Sequence, residues 1–283
     1  MIDRIRRFFH ELDGRLGFGY AMWRWRYDRA AFEATFVGVP QRPATKISLV
    51  LPSYGISNAD LSELVASVEH QTHKNWELCV CDDKDKFSVA TDFWRALAKA
   101  KPDKYKLVVH ETNSGISEAT KSALRLATGD IVAFIDGDDL LHPRALEAVA
   151  RRFGEDPGID VVYTDHDLMS DFGQRFRPSR KPGFSPELML VCNYMNHLIA
   201  VKRELANICS TAFQKENDGA QDWAFCFALL RQSNRISHIP LILYHWRARP
   251  ESVASSGAAK PWAVMAAERV RREHWQTIIR RSP

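Results

Sequence analysis

The sequence predicts an α/β fold with a mostly parallel central sheet flanked by helices. Three observations carry this expectation. Short apolar runs alternate with stretches of helical periodicity from Lys46 to about residue 163. The intervening helices are long enough to make right-handed crossovers between parallel strands. Composition agrees, because 283 residues with 45% hydrophobic and 26% charged side chains describe an ordinary globular chain, able to bury about 70–75% of its unfolded surface.

Ile2, Ile5, Phe9, Leu12 and Leu16 recur at steps of three and four, which makes one apolar helix stripe flanked by arginines. Gly17 and Gly19 interrupt it, and an aromatic, basic stretch follows with Trp23, Arg24, Trp25, Arg26 and Tyr27. Two readings fit this arm. It lies on an anionic membrane surface or a partner, or it packs on the main domain as a helical hairpin with snorkelling arginines. Pro40 and Pro43 then stiffen a linker. Ile47 to Leu51, stopped by Pro52, reads as a buried strand, and Asn58 opens a helix bearing Leu61, Leu64, Val65 and Val68 on one side. Leu78 to Cys81 is the second strand. A helical stretch around Phe93, Trp94 and Leu97 leads to a third strand at Leu107 to Val109, and helical spacing runs from Gly115 to Ala127. Ile131 to Ile135 is the fourth strand, Pro143 opens another helix, and Val161 to Tyr163 is the fifth strand.

Beyond residue 165 the rhythm loosens. Phe172 to Pro186, rich in Arg, Pro and Gly, reads as a loop or short hairpin, and a strand is expected at His197 to Val201. A helix from about Gln221 to Leu230 precedes short strands near Ile236–Ile239 and Ile242–Trp246. The small, polar segment 247–260 is a candidate mobile loop, and a helix from about Trp262 to Trp275 closes the chain. The organisation expected is an amphipathic arm and linker over 1–42, a first half over 43–165, and a second half with its C-terminal helix over 166–283.

Several function classes fall away. The formal charge of +4 arises from 39 Lys+Arg against 35 Asp+Glu and is spread along the chain, with no zinc-finger, basic-zipper or ribonucleoprotein motif, so no nucleic-acid partner is expected. Cys79, Cys81, Cys192, Cys209 and Cys226 form no CxxC pair, a poor disulfide framework that suits a reducing compartment. No run approaches 18 apolar residues, and Arg4, Arg6 and Arg7 lead into no signal-peptide core. Neither GxGxxG after the first strand nor GxxxxGK[ST] occurs, which disfavours dinucleotide dehydrogenases and P-loop NTPases.

The chemistry is expected at the carboxyl ends of the strands, where loops of an open α/β sheet converge. Asp82-Asp83, Asp136-x-Asp138-Asp139 and Asp165-x-Asp167 all fall at such ends. Negative charge concentrated on one sheet edge is costly unless a cation neutralises it, and carboxylate oxygens suit Mg²⁺ or Mn²⁺. A hard metal facing carboxylates usually carries a substrate phosphate.

These residues resemble a known family. Ile47-Ser48-Leu49-Val50-Leu51-Pro52-Ser53-Tyr54, Ser67-Val68-Glu69-His70-Gln71-Thr72, Asn75-Trp76-Glu77-Leu78, Asn113-Ser114-Gly115-Ile116-Ser117 and the run from Gly129 to Asp139 are similar, in order and spacing, to family 2 glycosyltransferases of the GT-A fold. Tyr163-Thr164-Asp165-His166-Asp167, Lys181 to Pro186, Gly219 to Trp223 and Leu243 to Arg247 resemble the branch that builds bacterial O-antigen, capsule and related surface polysaccharides. The resemblance spans about Lys46 to Trp275.

It implies a metal-dependent, inverting transferase that moves a sugar from a UDP- or dTDP-linked nucleotide-sugar donor to a saccharide acceptor, lipid-linked at the cytoplasmic face of the inner membrane. Pro52, Ser53 and Tyr54 match the donor-nucleotide pocket, and Asp83 matches the carboxylate that contacts base or ribose; an Asx turn is its structural alternative. Asp136 and Asp138 match the DxD pair that meets ribose and metal, Mn²⁺ or Mg²⁺, while Asp139 is expected to cap the next turn. His245 resembles a histidine that completes the metal site in some relatives, with a satisfied core histidine as the alternative. Asp222 matches the general base, although Asp is also favoured at helix N-caps. Trp246 and Arg247 would face sugar and diphosphate, and Asn193 and His197 the acceptor. Gly55 and Lys121 stand where the family often has Asn, and Lys84-Asp85-Lys86 replaces a Gly-Ser-type turn, so the base of the donor stays open. Two rival readings are a non-catalytic saccharide-binding protein on the same fold and a sugar nucleotidyltransferase. The second normally carries a glycine-rich basic loop where this chain reads Pro52-Ser53-Tyr54-Gly55-Ile56-Ser57.

Overall fold

In the computed structural model of the chain, residues 18–84, 90–249 and 261–281 are described. The stripe expected over residues 2–16 and most of the segment 247–260 lie outside them.

The apolar runs assemble one nine-stranded sheet: β1 (Ile47–Ser53), β2 (Trp76–Asp82), β3 (Tyr105–Val109), β4 (Ile131–Phe134), β5 (Leu140–Leu141), β6 (Val161–Met169), β7 (Arg175–Ser179), β8 (Ile199–Lys202) and β9 (Ile236–Arg247). Their order is β3-β2-β1-β4-β8-β6-β9-β5, with β7 on β6. β1, β2, β3 and β4 pair in parallel, as expected for strands linked by helices. β6 and β9 are also parallel. The antiparallel β8 joins these two parallel sets, and β7 folds back on β6 as a hairpin. The strand order reverses at β1, which has β2 on one side and β4 on the other, the position at which the loops of an open α/β sheet part at its carboxyl edge.

The interior explains the strand pattern. Every residue of β2 is buried, as expected for a strand covered on both faces. Glu77 sits in that strand with no exposure. It accepts hydrogen bonds from Ser48 Oγ at 2.6 Å and Thr128 N at 2.6 Å, and pairs with Lys46 Nζ at 2.5 Å and Lys106 Nζ at 2.8 Å. Burial alone would raise its pKa, but these partners outweigh burial and hold the carboxylate well below its usual range. At Gly129 a Cβ would stand 2.6 Å from the Lys46 carbonyl, so this close approach of two strand ends needs glycine.

β6 and β9 are longer than the sequence pattern indicates. The two short runs 236–239 and 242–246 form one strand, because a register shift opposite Thr164 and Asp165 absorbs Pro240 and Leu241. The end of the arm packs on the domain, while the side chains of Trp23, Arg24, Trp25, Arg26 and Tyr27 lie outside the described residues. The helix Phe18–Thr35 leads to Phe36, and Phe32 and Phe36 are buried against the helix Ala145–Glu155. The Arg144 guanidinium lies 3.4 Å over the Phe32 ring. Tyr20, nearer the start of that helix, donates to Asp167 Oδ2 at 2.6 Å. Among the described residues no helix is long and apolar enough to cross a membrane.

Candidate functional site

Loops at the carboxyl ends of β1, β2 and β4 meet the end of β9 and the start of the helix Gln221–Gln232. β1 delivers Ser53, fully buried, whose Oγ accepts from Trp94 Nε1 at 3.1 Å, and then Tyr54, whose ring is exposed. β2 delivers Asp83. Its carboxylate accepts from Ser114 N at 2.8 Å and Gly115 N at 2.9 Å and meets His110 Nδ1 at 2.8 Å. Asp83 therefore holds the distant Asn113–Gly115 turn, a role different from the local Asx turn set beside the donor contact. That turn depends on glycine: Gly115 has φ +91°, and a Cβ there would meet Asp218 Oδ2 at 2.3 Å. Asp218 in turn accepts from Ser117 N at the start of the helix Ile116–Arg125.

The acidic run after β4 is organised by β9. Tyr244, buried, donates to Asp139 Oδ2 at 2.6 Å and accepts from the Asp136 amide at 3.1 Å. Arg247 N donates to Asp139 Oδ1 at 2.7 Å. Asp139 is thus a buried residue tied to β9, where a turn cap was expected. Asp136, Asp139 and His197 bring one ligand atom each to within 4.8 Å of one another, and His197 Nδ1 lies 3.5 Å from Asp136 Oδ2. Desolvation raises the Asp136 carboxyl to about 6. The same cause, reinforced by Asp136, raises Asp138 and lifts Asp139 well above the carboxylate range. Desolvation lowers His197 to about 3, so its imidazole is neutral. Two oxygen donors and a neutral imidazole with mutually repelling charges suit Mn²⁺ or Mg²⁺.

His245 does not join this group. Its ring is buried and Nδ1 meets Asp167 Oδ1 at 2.7 Å, because on β9 its side chain points to the opposite face from Tyr244. Asp138 stands apart from the three, with Oδ2 4.0 Å from Arg249 Nη1. Arg247 is almost fully enclosed and donates to the Asp138 carbonyl at 2.7 Å and Glu63 Oε2 at 2.6 Å; it braces the loop from beneath. Trp246 packs beside the His197 ring at 5.3 Å between centroids.

Asp222 lies in the first turn of its helix, whose N-cap is Ala220; the N-cap alternative is thus replaced by an inward-facing carboxylate. Its Oδ2 accepts from Asn193 Nδ2 at 3.1 Å and from Asn196 Nδ2, and Oδ1 accepts from Trp223 N at 2.7 Å. Burial raises it to about 6 despite the Trp223 amide, with the Asp136 charge adding to the rise. Residues 48–233 match the profile of Glycosyl transferase family 2. The chain belongs to glycosyl transferase family 2.

Relatives place this family 2 chain more closely. It is 33% identical over 231 residues to the O-antigen biosynthesis protein RfbC of Myxococcus xanthus, covering 81% of this chain and 18% of RfbC. It is 36% identical over 190 residues to the UDP-Glc:alpha-D-GlcNAc-diphosphoundecaprenol beta-1,3-glucosyltransferase WfgD of Escherichia coli, covering 66% of this chain and 71% of WfgD. Identity is 36% to the protein y4gI of Sinorhizobium fredii, of which the match covers 25%. The chain thus spans a quarter or less of the length of y4gI and RfbC. The crystal structure of S. aureus TarS 1-349 in complex with UDP shares the fold, with a TM-score of 0.62, 20% identity, and coverage of 81% of this chain and 65% of that one.

Within this glycosyl transferase family 2 site, the sequence reading left out Asn196, Tyr244 as a site residue, Arg249 and the structural role of Lys181. Asn196 and Tyr244 stand next to His197 and His245, two residues that the motifs do mark. Lys181 is buried, donates to the His197 carbonyl at 2.9 Å, and is lowered to about 7 chiefly by desolvation. Lys181 opens the stretch Lys181 to Pro186 that the resemblance marks, but its neighbours Arg180 and Pro182 give no sign of its burial.

Proposed function

We propose that this chain transfers a sugar, with inversion, from a UDP- or dTDP-linked nucleotide-sugar to a saccharide acceptor carried on a lipid, in bacterial surface-polysaccharide assembly at the cytoplasmic face of the inner membrane. The observation that carries this reading is the pairing of Asp222 with the Asp136–Asp139–His197 group. One carboxylate of raised pKa, aimed by two asparagine amides, stands close enough to a candidate cation site to feel the Asp136 charge. General acid–base catalysis favours a group whose pKa lies near the working pH. The names of RfbC and WfgD support the pathway; UDP-glucose is named for WfgD, and UDP is bound in the TarS complex.

In the reaction, Asp222 takes the proton of the acceptor hydroxyl as that oxygen bonds to C1 of the sugar. The bond from C1 to the diphosphate breaks, and the nucleoside diphosphate leaves. Asp136, Asp139 and His197 would hold Mn²⁺ or Mg²⁺, which when bound neutralises charge on the diphosphate. Tyr244 and the Arg247 amide hold Asp139 in place. Asn193 and Asn196 keep Asp222 turned toward the acceptor, with Trp246 beside His197 offering an aromatic face for a sugar ring. Pro52, Ser53 and Tyr54 border the donor nucleotide.

Thermal unfolding with UDP, dTDP, GDP or CMP, each with Mn²⁺, Mg²⁺ or EDTA, tests the donor half. A nucleotide at 100 times its Kd adds ~2.7 kcal/mol, a rise on the order of 5 °C for a chain this long. The expected result is a metal-dependent rise with UDP or dTDP. No rise with any nucleotide overturns the reading and leaves a saccharide-binding protein on the same fold.

A further inference from the structure

The helix Pro261–Arg281 has two unlike faces. Ala263, Ala266, Val270 and His274 are buried, and the His274 ring stacks on Phe227 with centroids 3.9 Å apart. The opposite face would ordinarily be polar. Here it carries Val264 at 44% exposure, Met265 at 69% and Trp275 at 52%, with Arg271 and Arg272 among them. Val264, Glu268, Arg271 and Trp275 follow at steps of four, three and four, so they share one side of the helix. The whole helix holds five arginines against two glutamates.

This face continues toward the site. Arg271 Nε donates to the Leu190 carbonyl at 2.8 Å, and its guanidinium lies 5.6 Å from the Trp223 ring. Trp223 Nε1 donates to the Met189 carbonyl at 2.8 Å. The turn after the short helix Pro186–Met189 is therefore fixed against both long helices, and it presents Val191 at 68% exposure and Leu188 at 37%. Two residues beyond Val191, Asn193 bonds Asp222. An apolar, basic rim thus ends beside the general base.

We propose that this rim, formed by Leu188, Val191, Val264, Met265, Arg272 and Trp275, docks on an anionic lipid bilayer and holds the Asp222 side of the site at the membrane surface. The inference deepens the functional reading above and rests on it for the lipid-linked acceptor. Its occupant follows from charge and size. Arginines interleaved with a half-exposed tryptophan match the interface of an anionic bilayer, where the ring sits at the headgroups and the guanidiniums meet phosphates. So few side chains fall short of the roughly 20–30 residues a side of a stable protein interface. Of the N-terminal helix, Phe32 packs in the core of the domain.

Sedimentation of the full chain with phosphatidylglycerol-containing vesicles, against pure phosphatidylcholine vesicles, tests this. Binding is expected to the anionic vesicles and to weaken with salt. Arg272→Gln should lower affinity about fivefold, the worth of one basic residue near an anionic surface. Trp275→Ser should lower it about tenfold through lost apolar insertion, and Met265→Ser provides a second exposed position should either fail to fold. All three should keep the nucleotide-induced thermal shift, and should slow transfer to a vesicle-borne acceptor in step with the weaker binding while keeping transfer to a soluble saccharide. Equal binding to both vesicle types, or anionic binding unchanged in all the variants, overturns the proposal. So does a dimer, seen by light scattering without vesicle binding, that Trp275→Ser dissolves. Vesicle binding that persists while no nucleotide shifts the unfolding would instead refute the transferase reading and leave the membrane face standing.

Discussion

Asp222→Asn should make the protein more stable and nearly inactive at once. The carboxyl rises from 3.8 to about 6 in the folded chain, and two pKa units correspond to about 3 kcal/mol of disfavour for the ionised form. Because the side chain keeps part of its solvent contact, about half of that, ~1.5 kcal/mol, is a fair expectation. The sign follows from linkage. An acid whose folded-state pKa is raised destabilises the fold at pH values above that pKa, and the penalty fades as pH falls through 6 toward 3.8. Asparagine carries no such charge, so its unfolding temperature should exceed the parent's by about 2–3 °C at pH 8, with the gap closing near pH 4. Transfer, followed as nucleoside diphosphate release in the presence of a polyprenyl-linked acceptor extract, should fall by about 10²–10⁴. The parent's kcat/KM should itself decline below about pH 6 as the base becomes protonated. Activity within tenfold of the parent would refute Asp222 as the base. A drop of several degrees at pH 8 would show instead that Asn193, Asn196 and the Trp223 amide need a full carboxylate, which makes the residue structural.

Asp139→Asn should abolish any rise in unfolding temperature caused by Mn²⁺ in the presence of nucleotide, since it removes one of three candidate ligands; a retained rise would move the cation elsewhere. Glu77→Gln should lower stability by about 3–5 kcal/mol, because Lys46 and Lys106 lose their buried partner. The depressed pKa of Glu77 makes its contribution full above the ordinary carboxylate range and lost as pH falls through its folded value, so the deficit measured by urea unfolding should be larger at pH 7 than at pH 3. Tyr20→Phe removes a phenol donor from buried Asp167 and should cost about 1.5–3 kcal/mol; no loss in urea unfolding would detach the N-terminal helix from the domain. Gly115→Ala places a Cβ in the Asp218 carboxylate at positive φ and should destabilise by at least about 1 kcal/mol, checked in the same way.

The part of the fold legible in the sequence is the part governed by local rules. β1 to β4 are short apolar runs between amphipathic helices, and each lies within two residues of its expected start. What escaped has non-local causes. β9 crosses Pro240 through a register shift that only its pairing with β6 permits, so its two halves read as separate strands. β5, two residues long, exists only because β9 supplies its partner. The candidate site divides along the same line. Acidic residues at strand ends reveal themselves by position, which brings out Asp83, Asp136 and Asp138, whereas Asp222, at a helix start, is marked only by the family resemblance. Which histidine stands among them is decided by strand parity and by the path of the chain after β7. The resemblance marks His245 for the metal and His197 for the acceptor, but the chain places His197 beside Asp136 and gives His245 to Asp167.

Because β9 carries Tyr244, His245 and, after Trp246, Arg247, the site and the N-terminal helix are not independent. Tyr244 fixes Asp139 and the Asp136 amide, and Arg247 fixes Asp139 and the Asp138 carbonyl. Between them, His245 turns to the other face and meets Asp167, which also accepts from Arg175 Nε at 2.7 Å and from Tyr20. Asp167 has no exposed surface, so a lost partner would leave a buried carboxylate short of a donor and press on the strand that aims the carboxylates. A core of apolar side chains could hold β9 as firmly. It could not fix the rotation of the strand about its own axis, and that rotation decides whether Tyr244 or His245 faces the acidic loop. The directional bonds on both faces of β9 supply it.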